Sequence, residues 1–291
     1  MAASFSLLGL GRVGLAFGRA LMDAGWRLDT AWTRSAQRAQ NATRLLIHEC
    51  EHGPTPSVCP NSDLLLLAVS DAGIAELSAS LPSAVPGQVR LHASGALPFA
   101  ILGTMPGRGN VHPLVAVPDA CVAGTEAAVA SLRRAFFAID GDEQGLLMAR
   151  RIAVALGGAP MHLEASQRGL YHAAAALLGN GMVALFDAAQ ELLLNSGFDG
   201  TQSQRALNGL AASVLGNLEA QSPPMALTGP VRRADVETVL THISSLRRFD
   251  QEEPAAPVLP LYQALLPRLI DISARAGVDE ARLEALKGAC T

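Results

Sequence analysis

The chain has 291 residues, 49% apolar and only 16% charged, which supplies a sizeable core and excludes a disordered chain. Its net charge of −4 leaves no electrostatic footprint for nucleic acid, so no nucleic-acid partner is expected. The four cysteines (Cys50, Cys59, Cys121 and Cys290) form no Cys-x-x-Cys pair and the N-terminus shows no leader pattern, which together point to a reduced, cytoplasmic setting.

Apolar runs and helical stretches alternate through residue 163. Strands are predicted at residues 4–8 and 28–33, followed by a helix over 35–47. Residues 63–69 are too short and too uniformly apolar for an amphipathic helix and read as a buried strand. Ser70 or Asp71 then caps a helix through residue 81. Further strands are expected at 88–93, 109–112, 136–140 and 160–163, with a helix over 142–157 before the last of them. This is the pattern of a parallel sheet covered by helices. From residue 166 the period changes, and only helices are predicted, near 166–195, 201–220, 232–248, 257–276 and 279–288. The division expected is therefore a dinucleotide-binding domain over residues 1–163 and an all-helical domain over 164–291. The longest charge-free apolar segment, 171–186, falls short of the ~20 residues of a membrane span, so the chain reads as soluble, without a membrane partner.

The first strand runs into Gly9, Leu10, Gly11, Arg12, Val13 and Gly14, a Gly-x-Gly-x-x-Gly loop that opens a helix. Gly9 permits a tight turn, Gly11 lets the backbone approach a pyrophosphate, and Gly14 allows close helix–strand packing. A tight turn in a domain without a ligand would use the same residues. An NAD site usually places a carboxylate at the end of the second strand. Here that end carries Thr33, Arg34 and Ser35, with Arg38 one turn on, groups suited to a 2′-phosphate and hence to NADP rather than NAD. The bland alternative for the arginines is a solvated helix start.

The carboxyl ends of later strands bring Val69, Ser70 and Asp71, then His92 and Ser94, then His112 toward the crevice where nicotinamide and substrate would lie. Ser70 and Ser94 are assigned to the cofactor and His112 to the substrate. In the long helix, His172 and Asn180 share one broad face, and Gly179 and Gly181 flank the asparagine, which suggests close approach by a ligand or another backbone. Helix–helix packing at those glycines is the competing explanation. Thr228, ahead of Gly229 and Pro230, is a candidate for the far side of the substrate site. The cluster His48, Cys50, His52 with Cys59 fits no usual zinc spacing, and no metal is expected.

Residues 8–14 (LGLGRVG), 67–71 (LAVSD), 92–95 (HASG), 111–114 (VHPL), 171–175 (YHAAA) and 226–231 (ALTGPV) together resemble the reductases that join a Rossmann domain to a helical domain like that of 6-phosphogluconate dehydrogenase. The sequence is most similar to the branch in which a Rossmann-like domain precedes domain of unknown function 2520. The resemblance implies an α/β doubly wound, mostly parallel N-terminal domain, an all-α second domain, NADP-dependent reduction and a homodimer built through the helical domain. It does not bring a substrate. In ketopantoate reductase and the β-hydroxyacid dehydrogenases a lysine stands four residues before an asparagine on this helix. That position is Ala176 here, and the single lysine of the chain is Lys287. An imine that arrives protonated, or a carbonyl acidified by His172 or His112, fits better. The expected chemistry is hydride transfer to a C=N or C=O group, with His172 as general acid and Asn180 orienting the substrate. The alternative is a non-catalytic NADP(H)-binding sensor or scaffold.

Overall fold

The computed structural model describes residues 3–56, 61–82 and 85–290. It forms two compact units, Met1–Gly181 and Met182–Thr291.

The first unit is an eight-stranded sheet with helices packed against it. Its elements are β1 (Ser4–Leu8), α1 (Arg12–Asp23), β2 (Arg27–Thr33), α2 (Ala36–Leu46), β3 (Cys50–His52), β4 (Leu64–Leu67), α3 (Asp71–Ser80), β5 (Val89–His92) and β6 (Arg108–Pro113). Then come α4 (Ala120–Ala123), α5 (Thr125–Leu132), β7 (Phe136–Gly141), α6 (Glu143–Ala155) and β8 (Ala159–His162). The strand order is β3-β2-β1-β4-β5-β6-β7-β8. β4 is four leucines, all fully buried, because a central parallel strand is covered on both faces and has no side to turn to water. Phe5, Leu7, Leu66 and Phe137 belong to the principal core, while Leu65, Leu67 and Ile74 fill the other face beneath α3.

All adjacent strands run parallel except β6 and β7, which pair antiparallel with Asn110 opposite Asp140. Three features go beyond the sequence reading. Residues 50–52 form a short edge strand on β2 rather than a loop, α4 and α5 precede β7, and β7 reverses direction. Cys50 on that edge strand is held in a local turn, its amide donating to Thr43 Oγ1 at 3.2 Å. Among the described residues no group of three or more His, Cys, Asp or Glu side chains is arranged to hold a metal; Cys59 lies outside them.

The helix α7 (Arg168–Asn195) starts in the first unit and ends in the second. The second unit continues with α8 (Gly200–Ala220), α9 (Pro223–Ala226), α10 (Val236–Glu252), α11 (Leu259–Arg275) and α12 (Glu280–Cys290), with no strand among its described residues. Val239, Ile243, Leu266, Ile270, Leu283 and Leu286 form its core, at the three-and-four spacing of amphipathic helices.

The glycine loop divides its labour between conformation and packing. Gly9 has φ +107°, a value a side chain resists, and a Cβ at Gly14 would sit 1.9 Å from the Gly9 carbonyl oxygen. Around Gly11 a Cβ would meet nothing within 4 Å. Gly14→Ala is therefore expected to lower stability by at least about 1–3 kcal/mol through overpacking, whereas Gly11→Ala leaves stability nearly unchanged. Urea midpoints of the two variants check this, and equal midpoints contradict it.

Candidate functional site

The chain leaves β1 for β2 on one side and returns for β4 on the other, so the carboxyl ends of β1 and β4 part at a topological switch point. A cavity of about 540 Å³ opens there and continues past the ends of β5 and β6. Gly9, Leu10, Gly11, Arg12 and Val13 line it, while Gly14 sits behind them in the helix–strand contact. Gly11 is the N-cap of α1 and contributes no side-chain cap, so the first-turn amides and the positive helix end stand open to the cavity. No acidic residue occupies that first turn, and Arg12 reaches Asp119 at 3.7 Å on the surface. The cradle fits an anionic pyrophosphate in both charge and space.

Thr33, Arg34, Ser35 and Arg38 line the same cavity at the end of β2. Ser35 caps α2 by accepting from the Arg38 amide at 3.3 Å, which leaves its hydroxyl proton for a ligand. Arg34 lies 3.9 Å from Glu76 of α3, a carboxylate that the sequence pattern did not bring to this place. Both groups are well exposed (62% and 77%), so the pair is weak and Arg34 can turn to an anion at little cost.

Val69, Ser70, Asp71 and Ser94 also line the cavity, as anticipated. Ser94, however, is already occupied. Its Oγ accepts from the amides of Ala96 and Leu97, both at 3.1 Å, and so shapes the turn after β5. His92 is structural. It is fully buried, its Nε2–H donates to the Pro98 carbonyl at 3.3 Å, and its Nδ1 accepts from the Ser94 amide and from Asn110 Nδ2. Burial pushes its pKa down to about 4, so it stays neutral at pH 7.

Asn110 links this cluster to a buried ion pair. Its Oδ1 accepts from Arg168 Nη1 at 3.2 Å, and Arg168 Nη2 reaches Asp140 Oδ2 at 3.0 Å. One turn beyond Arg168, Tyr171 and His172 stand beside the end of β6. Tyr171 Oη lies 2.8 Å from His112 Nδ1, and the rings of His112 and His172 are 6.4 Å apart. A Cβ on Gly95 would meet His112 Nε2 and His172 Nδ1 at 2.9 Å each, so the two imidazoles face one small space that the glycine leaves free. Both histidines line the cavity, with Pro113, Val115 and Val117 as an apolar wall. Burial, then the nearby His172 and Arg168, push His112 down to about 4, with Asp71 opposing.

Two assigned residues are not brought into this cavity. Asn180 is exposed on α7, two turns past His172, and a Cβ on Gly179 or Gly181 would meet nothing of the described chain within 4 Å. Thr228 lines a separate open cavity of the second unit, with Arg232, Arg233 and Arg282. Tyr171, Asn110, Asp140 and Arg168 were missed as contributors. Asn110 inside a predicted strand was a signal, whereas Arg168 meets Asn110 and Tyr171 meets His112 only across 58 and 59 residues.

A family model described as a Rossmann-like domain matches residues 2–118, and one described as domain of unknown function (DUF2520) matches residues 135–268. Among solved structures, BF3122 of Bacteroides fragilis, provisionally assigned as an NADP oxidoreductase, is similar at 20% identity and TM-score 0.74, covering 92% of this chain and 98% of that one. The protein TM1727 of Thermotoga maritima is similar at 22% identity and TM-score 0.67, covering 93% and 98%. The 1-pyrroline-5-carboxylate reductase of Streptococcus pyogenes follows at 13% and 0.59, covering 94% and 99%. At these identities the likeness is one of fold. No curated protein matches.

The neutral, buried His92 and His112 make stability depend on acid. Their folded pKa of about 4 lies below the ordinary ~6.5, so between these values the unfolded chain binds more protons. Stability is complete above pH ~6.5 and falls as the pH drops toward 4, by up to about 1.4 kcal/mol per pH unit for each histidine. Urea midpoints at pH 7.5 and pH 5 check this, and His92→Gln should flatten the dependence.

Proposed function

We propose that this chain, in which a Rossmann-like domain is followed by DUF2520, is an NADP-dependent oxidoreductase acting on a C=N or C=O group of a small molecule. One observation supports it above all: a single cavity joins an uncapped glycine-loop helix and a cationic strand end to a pair of imidazoles. The relatives' names, an NADP oxidoreductase and a pyrroline-5-carboxylate reductase, agree with this reading.

Gly9 to Val13 would hold the pyrophosphate by backbone amides, and Thr33, Arg34, Ser35 and Arg38 the 2′-phosphate. When bound, the dinucleotide supplies a hydride to an unsaturated carbon. The chain's own part is to orient that carbon's partner atom and to hold or pass a proton, and His112 and His172 are the groups placed for it. Asn180, on the same helix two turns past His172, and Thr228 remain candidates for the substrate. Binding without turnover, as in a sensor, would use the same cavity. NADPH should bind more tightly than NADH, and Arg34→Ala or Arg38→Ala should each weaken NADPH by about tenfold, one charge-assisted hydrogen bond, while sparing NADH. Fluorescence titration measures both; equal affinities contradict the 2′-phosphate assignment. NADPH oxidation against imines and 2-oxoacids, with His172→Ala alongside, separates enzyme from sensor.

The helical faces support a homodimer. Leu177 is 79% exposed, Val183 70% and Leu210 63%, an apolar surface on α7 and α8 that the chain itself leaves uncovered. One helix, Ala165–Asn195, is long and apolar enough by length and composition to cross a membrane, with mean hydropathy 1.3. Its first turns nevertheless bury Arg168 against Asp140 and bond Tyr171 to His112, contacts a bilayer would remove. A second copy of the chain is the better occupant. Sedimentation should give a dimer, and Val183→Asp with Leu210→Asp should give monomers; a wild-type monomer would contradict the assembly.

A further inference from the structure

The contact between Tyr171 and His112 has a direction that the chemistry of its two partners decides. The hydroxyl and Nδ1 are 2.8 Å apart, the rings meet edge-on with centroids 5.6 Å apart, and no second partner of the hydroxyl is found among the described residues. Burial pushes the Tyr171 phenol up to about 12, Arg168 opposing, and the His112 imidazolium down to about 4, so the two meet as neutral groups at pH 7. His172, Tyr171 and Arg168 on α7, together with Asp71 on α3, are the titratable and charged groups around this imidazole. Between a neutral phenol and a neutral imidazole, the phenol is the stronger acid and the ring nitrogen the stronger base. The bond therefore runs O–H to Nδ1, and the imidazole proton resides on Nε2.

We propose that Tyr171 is a positioning residue that fixes His112 in the Nε2–H tautomer, so that a neutral N–H donor faces the space beside Gly95 and selects a substrate atom bearing a lone pair. This rests on the oxidoreductase reading and narrows it. A carbonyl oxygen accepts such a hydrogen bond; a C=N nitrogen that arrives protonated has no lone pair left to do so. The substrate class is thereby an aldehyde, a ketone or a neutral imine, and a C=N group that arrives protonated is excluded. Arg168 and Asp140 hold the Tyr171 turn against β6 from below.

The test is the tautomer itself. The full chain, labelled with ¹⁵N-histidine, is examined at pH 7 by long-range ¹H–¹⁵N correlation, and the His112 signals are identified by their loss in His112→Gln. The expected pattern is a neutral ring protonated at Nε2, giving way to an averaged mixture of tautomers in Tyr171→Phe. A wild-type ring protonated at Nδ1, or at both nitrogens, overturns the proposal, and that spectrum decides even if Tyr171→Phe fails to fold. Where NADPH oxidation is measurable, Tyr171→Phe should lower kcat on carbonyl compounds by about tenfold, one hydrogen bond, with NADPH affinity unchanged. Turnover confined to pre-protonated cyclic imines overturns the substrate class. Failure to bind NADPH would sink the oxidoreductase reading and leave the tautomer result standing, so the two failures are separable.

Discussion

The geometry of the site depends on one buried guanidinium. Arg168 is 3% exposed and reaches Asp140 on β7 and Asn110 on β6 at once. It can do so because those two residues stand opposite each other across the antiparallel pair. A charge taken out of water is costly unless paired and hydrogen-bonded, and removing one partner of such a pair costs about 3–5 kcal/mol. The ion pair is thus a device of position more than of net stability. It pins the first turn of α7 to the sheet and delivers Tyr171 and His172 to the end of β6. Among the described residues its Nε has no hydrogen-bond partner.

Charge is distributed unevenly along the cavity. Cationic side chains stand at the β2 end of the cavity, where Arg34 and Arg38 are solvated, while at the β6 end burial keeps His92 and His112 neutral. The single guanidinium nearby is spent on Asp140. A site of this kind orients by hydrogen bonds.

The strands, the helices and the glycine loop were largely legible because they rest on local patterns. The four leucines of β4 could only be a covered strand, and Gly9 and Gly14 take the turn and packing roles that their spacing announces. Direction was not legible, since nothing in residues 136–141 distinguishes a strand that runs with its neighbour from one that runs against it. The edge strand at Cys50–His52 hid behind two charged or polar residues in three. At the site, residues chosen by strand-end position mostly line the cavity at the switch point. Ser94 reached it with its hydroxyl already engaged in a turn, which only the hydrogen-bond partners reveal. Arg168 was invisible for another reason: its meaning comes from two residues brought together by the reversal of β7.

The strand order also sets a length. From β2, where Thr33, Arg34 and Ser35 stand, to β6, where His112 stands, the sheet crosses β1, β4 and β5. Four strand spacings amount to about 19 Å. The sheet acts as a ruler laid along the cavity, with Thr33, Arg34 and Ser35 at one mark and His112 at the other. On the proposed reading, a ligand the size of one nucleotide would satisfy either mark but not both, so reach would discriminate before contact does.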